Sequence, residues 1–134
     1  MVMVDIMIIT IPIKTLSVNH LYGFKGYRKF LTKEGKELRR FIEEQVDEQI
    51  DFLDLPDYRD KKLSVLVDVY ENWLTKKGKV ARKDVANREK FLIDSVFNRL
   101  GIDDKFIFKH EMRKIQSKTE KSIIKIEVID KGEK

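Results

Sequence analysis

The chain has 134 residues, 38% of them charged and 42% hydrophobic, which fits one folded globular domain and excludes a disordered or two-domain chain. A net charge of +5 and a pI of about 9.3 suit a polyanionic partner, but equally a lysine-rich surface that only keeps the protein in solution. With no cysteine there is no disulfide, thiolate metal site, zinc finger or cysteine nucleophile. The two histidines, His20 and His110, are too few for a His-rich site, so any metal must be held mainly by carboxylates, the donors of magnesium or manganese.

The apolar run from Met1 to Ile13 is too short to span a bilayer, carries Asp5, and lacks a basic leader and a cleavage site. A cytoplasmic protein without a membrane partner is expected, with Met7 a candidate natural start and residues 1–6 an extension. Met7 to Ile13 reads as a first strand, closed by Pro12 and the segment Lys14 to Asn19. Asn19 to Phe30 mixes Gly23 and Gly26 with Tyr22, Phe24, Tyr27, Arg28 and Lys29, and reads as a loop or irregular hairpin with exposed aromatic and basic side chains.

Thr32 is placed to cap a helix over about Lys33 to Ile50, with Glu34 in its first turn. Leu38, Phe41, Ile42, Val46, Gln49 and Leu53 recur at helical spacing and should form its buried stripe. Beyond Pro56 the period becomes two. Leu63, Val65, Val67, Val69 and Trp73 share one face of a half-buried strand, and Ser64, Asp68, Tyr70 and Asn72 the other.

Thr75 to Lys83 is a basic loop around Gly78. A second helix from about Val85 to Leu100 follows, with the apolar arc Val85, Leu92, Ile93, Val96, Phe97 and Leu100, and with Gly101 at its left-handed cap. Phe106 to Ile115 and Ser122 to Ile129 read as two strands joined by the polar turn Gln116 to Lys121. The order strand, helix, strand, helix, strand, strand fits an α/β sandwich in which two helices pack on one mixed sheet of about four strands.

The most informative stretch runs from Arg82 through Lys83, Asp84, Val85, Ala86, Asn87, Arg88 and Glu89 to Lys90, and is followed by Gly101, Ile102, Asp103 and Asp104. Asp84 sits at a strand-to-helix junction, where an N-cap is an equally good account. Asp103 and Asp104 suit a solvated turn after a glycine cap, and Arg88 and Lys90 suit an exposed helix face. Asp84 and Asp104 meet only if the loop after the helix folds back toward the loop before it.

Taken together these residues resemble the RusA family of Holliday junction resolvases. In that family a basic run enters an Arg-Asp-Leu-Asp-Asn motif, a helix bears an exposed lysine, and a glycine turn ends in Asp-Asp. The counterparts are Arg82, Lys83, Asp84, Val85, Ala86, Asn87 and Lys90, then Gly101, Asp103 and Asp104. Upstream, a strand and proline lead to Asn19, an irregular Tyr/Arg segment, Leu31, Thr32 and a helix with Arg39, so the resemblance spans most of the chain.

The resemblance implies a magnesium-dependent (or manganese-dependent) homodimeric endonuclease that resolves four-way junction DNA by paired nicks in recombination and repair. It implies Asp84 and Asp104 as metal ligands beside Asp103, and Lys90 as the cation on the scissile phosphate. Asn87 would position Asp84 or a phosphate oxygen. Lys76, Lys77, Lys79, Arg82, Lys83, Arg88, Arg28, Lys29 and Asn19 would contact DNA.

One position departs from the family. Ala86 stands where a second aspartate is expected, and a methyl group cannot ligate a metal. A deliberate inactivating substitution, a natural inactive relative and compensation by Glu89 or Asp103 would each account for it, the first being favoured by the intact remainder of the motif. A non-catalytic module for branched DNA or RNA is the alternative function. A protein-interaction domain is a further rival, and another magnesium-dependent phosphoryl-transfer enzyme is a remote one, without a P-loop signature.

Overall fold

The computed structural model describes residues 6–14, 21–55, 58, 61–81 and 86–129. The chain runs β1 (Ile6–Ile11), β2 (Tyr22–Lys25), β3 (Arg28–Leu31), α1 (Lys33–Gln49), β4 (Leu63–Glu71), α2 (Ala86–Leu100), β5 (Ile107–Gln116) and β6 (Lys121–Val128). Single turns of 3-10 helix at Phe52–Asp54 and Asp104–Phe106 punctuate the loops.

Four strands form one mixed sheet in the order β1-β6-β4-β5, and β2 and β3 make a separate hairpin. β6 lies antiparallel to both β1 and β4, whereas β4 and β5 are parallel, joined by the crossover through α2. The final two strands are therefore not neighbours, because β4 lies between them.

Alternation sets the faces. Leu63, Val65, Val67 and Val69 of β4, Ile124, Ile126 and Val128 of β6, and Met7, Ile9 and Ile11 of β1 point into one core, and the helices close it. α1 contributes Leu38, Ile42 and Val46, and α2 contributes Phe91, Leu92, Ile93, Val96, Phe97 and Leu100. At about 25 cal/mol per Å², each such side chain contributes roughly 1.5–3 kcal/mol when fully buried.

Several sequence expectations are corrected. Leu53 is not part of the α1 stripe, since the helix stops at Gln49 and Leu53 is 96% exposed on the following turn. Gln49 is not a core residue either. Its amide accepts from Thr10 N–H at 2.8 Å and donates to Thr10 O at 2.7 Å, satisfying backbone groups on the free edge of β1. β4 ends at Glu71, which occupies the buried face, so Trp73 lies beyond the strand. Phe91, outside the expected apolar arc, is among the largest fully buried side chains. Val85 of that arc lies outside the described residues.

The caps follow the sequence. Thr32 Oγ1 accepts from Gly35 N–H at 3.0 Å, as an N-cap should. At the end of α2, Gly101 has φ 72°, Gly101 N–H reaches Asn98 O at 3.2 Å and Ile102 N–H reaches Phe97 O at 3.0 Å. These two bonds make a Schellman motif.

Gly35 does something the sequence did not show. A Cβ there would stand 2.4 Å from Leu21 O, so α1 approaches the chain before β2 at a distance only glycine permits. In an ordinary exposed helix interior, glycine to alanine adds about 1 kcal/mol of stability. Here Gly35→Ala is expected to lower stability by roughly 1–3 kcal/mol, as overpacking against backbone does. Urea unfolding of the two proteins measures the sign.

Candidate active site

α2 carries the site. Lys90, Asp94 and Asn98 recur at four-residue spacing and so share one stripe of the helix. Lys90 and Asn98 are exposed and Asp94 is half-buried. After the reversal at Gly101 the chain runs back along the helix, and Asp104 enters the electrostatic neighbourhood of Asp94. Arg39, from the neighbouring α1, completes an open pocket with Asp94, Asn98, Asp103, Asp104, Phe97 and Ile102.

Burial is the first cause that pushes the Asp94 carboxyl above its ordinary value, and the negative charge of Asp104 adds to it. The cations Lys90 and Arg39 oppose the shift. Asp94 thus senses one further carboxylate and two cations, of which Asp104 and Arg39 line the pocket with it. Arg39 is held for this role. Its Nε donates to Ser95 Oγ at 3.4 Å, and its guanidinium lies 5.1 Å from the centre of the Phe91 ring.

Asp104 and Lys90 both act electrostatically on Asp94, a residue that the sequence reading overlooked. The signal was present. Asp94 lies one turn beyond Lys90 on the same polar stripe of the helix. Asp103 lines the pocket, yet its Oδ1 accepts from Lys105 N–H at 2.9 Å and caps the turn at Asp104–Phe106. Asp84, Arg82, Lys83 and Asn19 lie outside the described residues. Ala86 opens α2, and the side chains of Ala86, Asn87 and Arg88 are likewise outside the description.

Glu89 does not join the pocket. It is buried, at 3% exposure, and its carboxylate contacts His110 Nε2 on β5. Burial first, and then the charge of Asp94, raises the Glu89 carboxyl from 4.5 to about 7. Compensation for Ala86 by Glu89 therefore has little geometric support, because its carboxylate contacts His110, whereas Asp103 lines the pocket.

Further basic side chains lie on two segments outside the pocket lining. Leu74 and Val80 form a β-bridge, and Gly78, at φ 77°, turns the chain between them, leaving Lys76, Lys77 and Lys79 exposed. Arg28 and Lys29 lie on β3 of the hairpin, Lys29 Nζ being 4.0 Å from the centre of the Tyr22 ring.

A metal fits the chemistry of the pocket in part. Carboxylate oxygens are the donors that a hard divalent cation takes, and such an ion would relieve the repulsion between Asp94 and Asp104. Among the described residues, no three histidine, aspartate or glutamate side chains converge as a ready metal cluster. The two aspartates need at least one further ligand.

A profile of the endodeoxyribonuclease RusA family matches residues 12–128. The chain belongs to the RusA family. The match covers β2 to β6, both helices and the whole pocket. RusA nucleases act on junction DNA and are generally dependent on a divalent metal.

No curated protein matches the chain. Among solved structures it is similar to one described as the regulation of the Dha operon of Lactococcus lactis, at 9% identity and a TM-score of 0.47, covering 94% of this chain and 37% of that one. A dihydroxyacetone kinase operon co-activator, Dha-DhaQ, gives 8% identity and a TM-score of 0.47 over 94% of this chain and 40% of that one. A 2C-methyl-D-erythritol-2,4-cyclodiphosphate synthase gives 13% and 0.32 over 67% and 51%. The chain spans less than half the length of the first two. Among the described residues no helix is long and apolar enough to cross a membrane.

The raised Glu89 carboxyl sets a pH dependence. The folded chain holds a proton at Glu89 that the unfolded chain releases above pH 4.5, so this contribution to stability is complete below 4.5 and is lost as pH rises toward about 7. Glu89→Gln has no such proton to lose. Its melting temperature relative to the parent should rise between pH 4.5 and about 7 and level off above. A constant difference across that window would contradict the assignment.

Proposed function

We propose that the protein is a magnesium- or manganese-dependent endonuclease that resolves four-way DNA junctions by paired nicks, weakened in this chain by Ala86. The observation that carries the reading is the return of Asp104 to Asp94 beside Lys90 and Arg39, in a chain of the RusA family. In the proposed site Asp94, Asp104 and Asp84, with Asp103 beside them, would hold the ion, which when bound would supply Lewis acidity and lower the pKa of a water.

The protein's own groups do the rest. Lys90 and Arg39 neutralise charge on the scissile phosphate, Arg39 through a planar fork and Lys90 as a point charge. Asn87 is proposed to orient Asp84 or a phosphate oxygen. Lys76, Lys77, Lys79, Arg82 and Lys83 grip the junction arms through phosphates, with Arg88, Arg28, Lys29 and Asn19 in support.

Paired nicks need two sites related by a two-fold axis, and hence a homodimer. The sheet face away from the helices supports such a pairing, since Ile8, Leu66, Tyr70 and Ile123 on it are exposed or only partly covered. The edge of β1 is less suited, because Gln49 already engages Thr10.

Junction binding and cleavage, measured side by side for this chain and for Ala86→Asp, test the reading. The chain should bind with little nicking, and Ala86→Asp should recover magnesium-dependent nicking. Failure of Ala86→Asp to cut would instead favour a non-catalytic branched-DNA module. In the Ala86→Asp background, Asp94→Asn or Asp104→Asn should cost roughly a hundredfold or more in rate while binding persists. Replacing Lys76, Lys77 and Lys79 by alanine should reduce the dependence of log K on log salt by roughly 0.9 for each phosphate no longer neutralised.

A further inference from the structure

The hairpin of β2 and β3 is more than a carrier of Arg28 and Lys29. Its two-residue loop, Gly26 and Tyr27, turns with Gly26 at φ 63°, as a tight hairpin requires, and leaves Tyr27 fully exposed at the tip. The register pairs Tyr22 with Leu31, Gly23 with Phe30, Phe24 with Lys29 and Lys25 with Arg28. One face therefore carries Tyr22, Phe24, Lys29 and Leu31, and the other Gly23, Lys25, Arg28 and Phe30.

Each face presents an aromatic ring to solvent. Phe24 is 71% exposed and Phe30 is 48% exposed. The far end of the Phe30 ring lies over Gly23, where an added Cβ would stand 2.6 Å from it. Glycine at that position gives the ring a platform instead of a competing side chain.

The root of the hairpin, in contrast, is fixed. Tyr22 meets the buried Phe91 edge-to-face, with ring centres 6.1 Å apart, and Leu31 packs against the core. Phe91 follows Lys90 in α2, and the Arg39 guanidinium that lines the acidic pocket also lies by the Phe91 ring. The hairpin thus projects from the border of the pocket, its tip roughly 10–13 Å beyond its root.

The charge carried by the hairpin segment itself has a single sign. Between Leu21 and Lys33 the sequence holds Lys25, Arg28, Lys29 and Lys33 and no carboxylate. Aromatic faces interleaved with cations on a narrow support are what unpaired nucleotides need. The rings accept base faces without regard to sequence, and the cations follow the phosphates. A paired duplex hides its base faces, so it offers the cations a contact and the rings none.

We infer that the β2–β3 hairpin is a binding site for unpaired nucleobases, with Tyr27 and Phe24 stacking on bases exposed where DNA strands branch next to the acidic pocket. The inference rests on the junction-nuclease reading above and adds to it the element that senses the open branch point.

The test uses the full chain with a four-way junction, a single-stranded thymine oligonucleotide and a blunt duplex at one salt concentration. Tyr27→Ala and Phe24→Ala should each weaken binding to the junction and the single strand by roughly 5- to 150-fold, leaving duplex binding unchanged. Unaltered circular dichroism and melting temperature exclude misfolding. A Tyr27→Trp protein should keep parental affinity and show quenched tryptophan emission with the junction and the single strand, but not with the duplex. Equal losses on all three DNAs would overturn the inference, as would no loss on any, which would instead point to a protein contact. If the parent binds the junction and Ala86→Asp cuts it while the hairpin variants behave as parent, the hairpin inference alone falls. If the parent does not prefer the junction over the duplex, the junction-nuclease reading falls with it.

Discussion

The candidate site depends on a chain reversal. At the end of α2, Gly101 adopts a left-handed conformation that a residue with a Cβ enters only at a cost, and its amide and that of Ile102 tie off the last turn of the helix. The chain then returns along the helix it has just left instead of continuing away from it. Without that reversal, Asp104 would stand beyond the end of α2, while Asp94, six residues before Leu100, would lie roughly 9 Å back along it. With it, Asp104 raises the carboxyl of Asp94 through space.

The reversal brings like charges together, and the surroundings show how they are tolerated. Lys90 from the same helix and Arg39 from the neighbouring one oppose the repulsion. Arg39 is steadied by Ser95 and the face of Phe91, so its charge is presented from a packed position. Glu89 has the opposite environment. It is buried against His110, where desolvation favours the protonated carboxyl, and it joins α2 to the edge strand β5. Two acidic residues five positions apart on one helix thus have different roles, decided by which face each occupies.

The hairpin and the pocket share a support. Phe91 holds the Tyr22 ring on one side and borders Arg39 on another, so the exposed aromatic prong and the acidic stripe are referenced to the same buried ring. Gly35 allows α1 to approach Leu21 closely enough to fix the start of that hairpin. Membership of the RusA family, which acts on junction DNA, gives this arrangement its context.

The sequence by itself determined the elements and their faces. Alternation in β4, the helical stripe of α1, the Thr32 cap and the Gly101 stop are local patterns, and each is written into neighbouring residues through backbone geometry and side-chain periodicity. Membership of the RusA family was legible too, from a motif in which Ala86 stands where the resemblance expects an aspartate. Tertiary structure alone decided that β4 separates β5 from β6, that Glu71 and Glu89 are buried, and that Gln49 covers the edge of β1. It also decided that Asp94 and Arg39 meet Asp104. These facts arise from contacts between residues distant in the chain. Local spacing says which way a side chain faces, whereas the packing of whole elements fixes what it meets there.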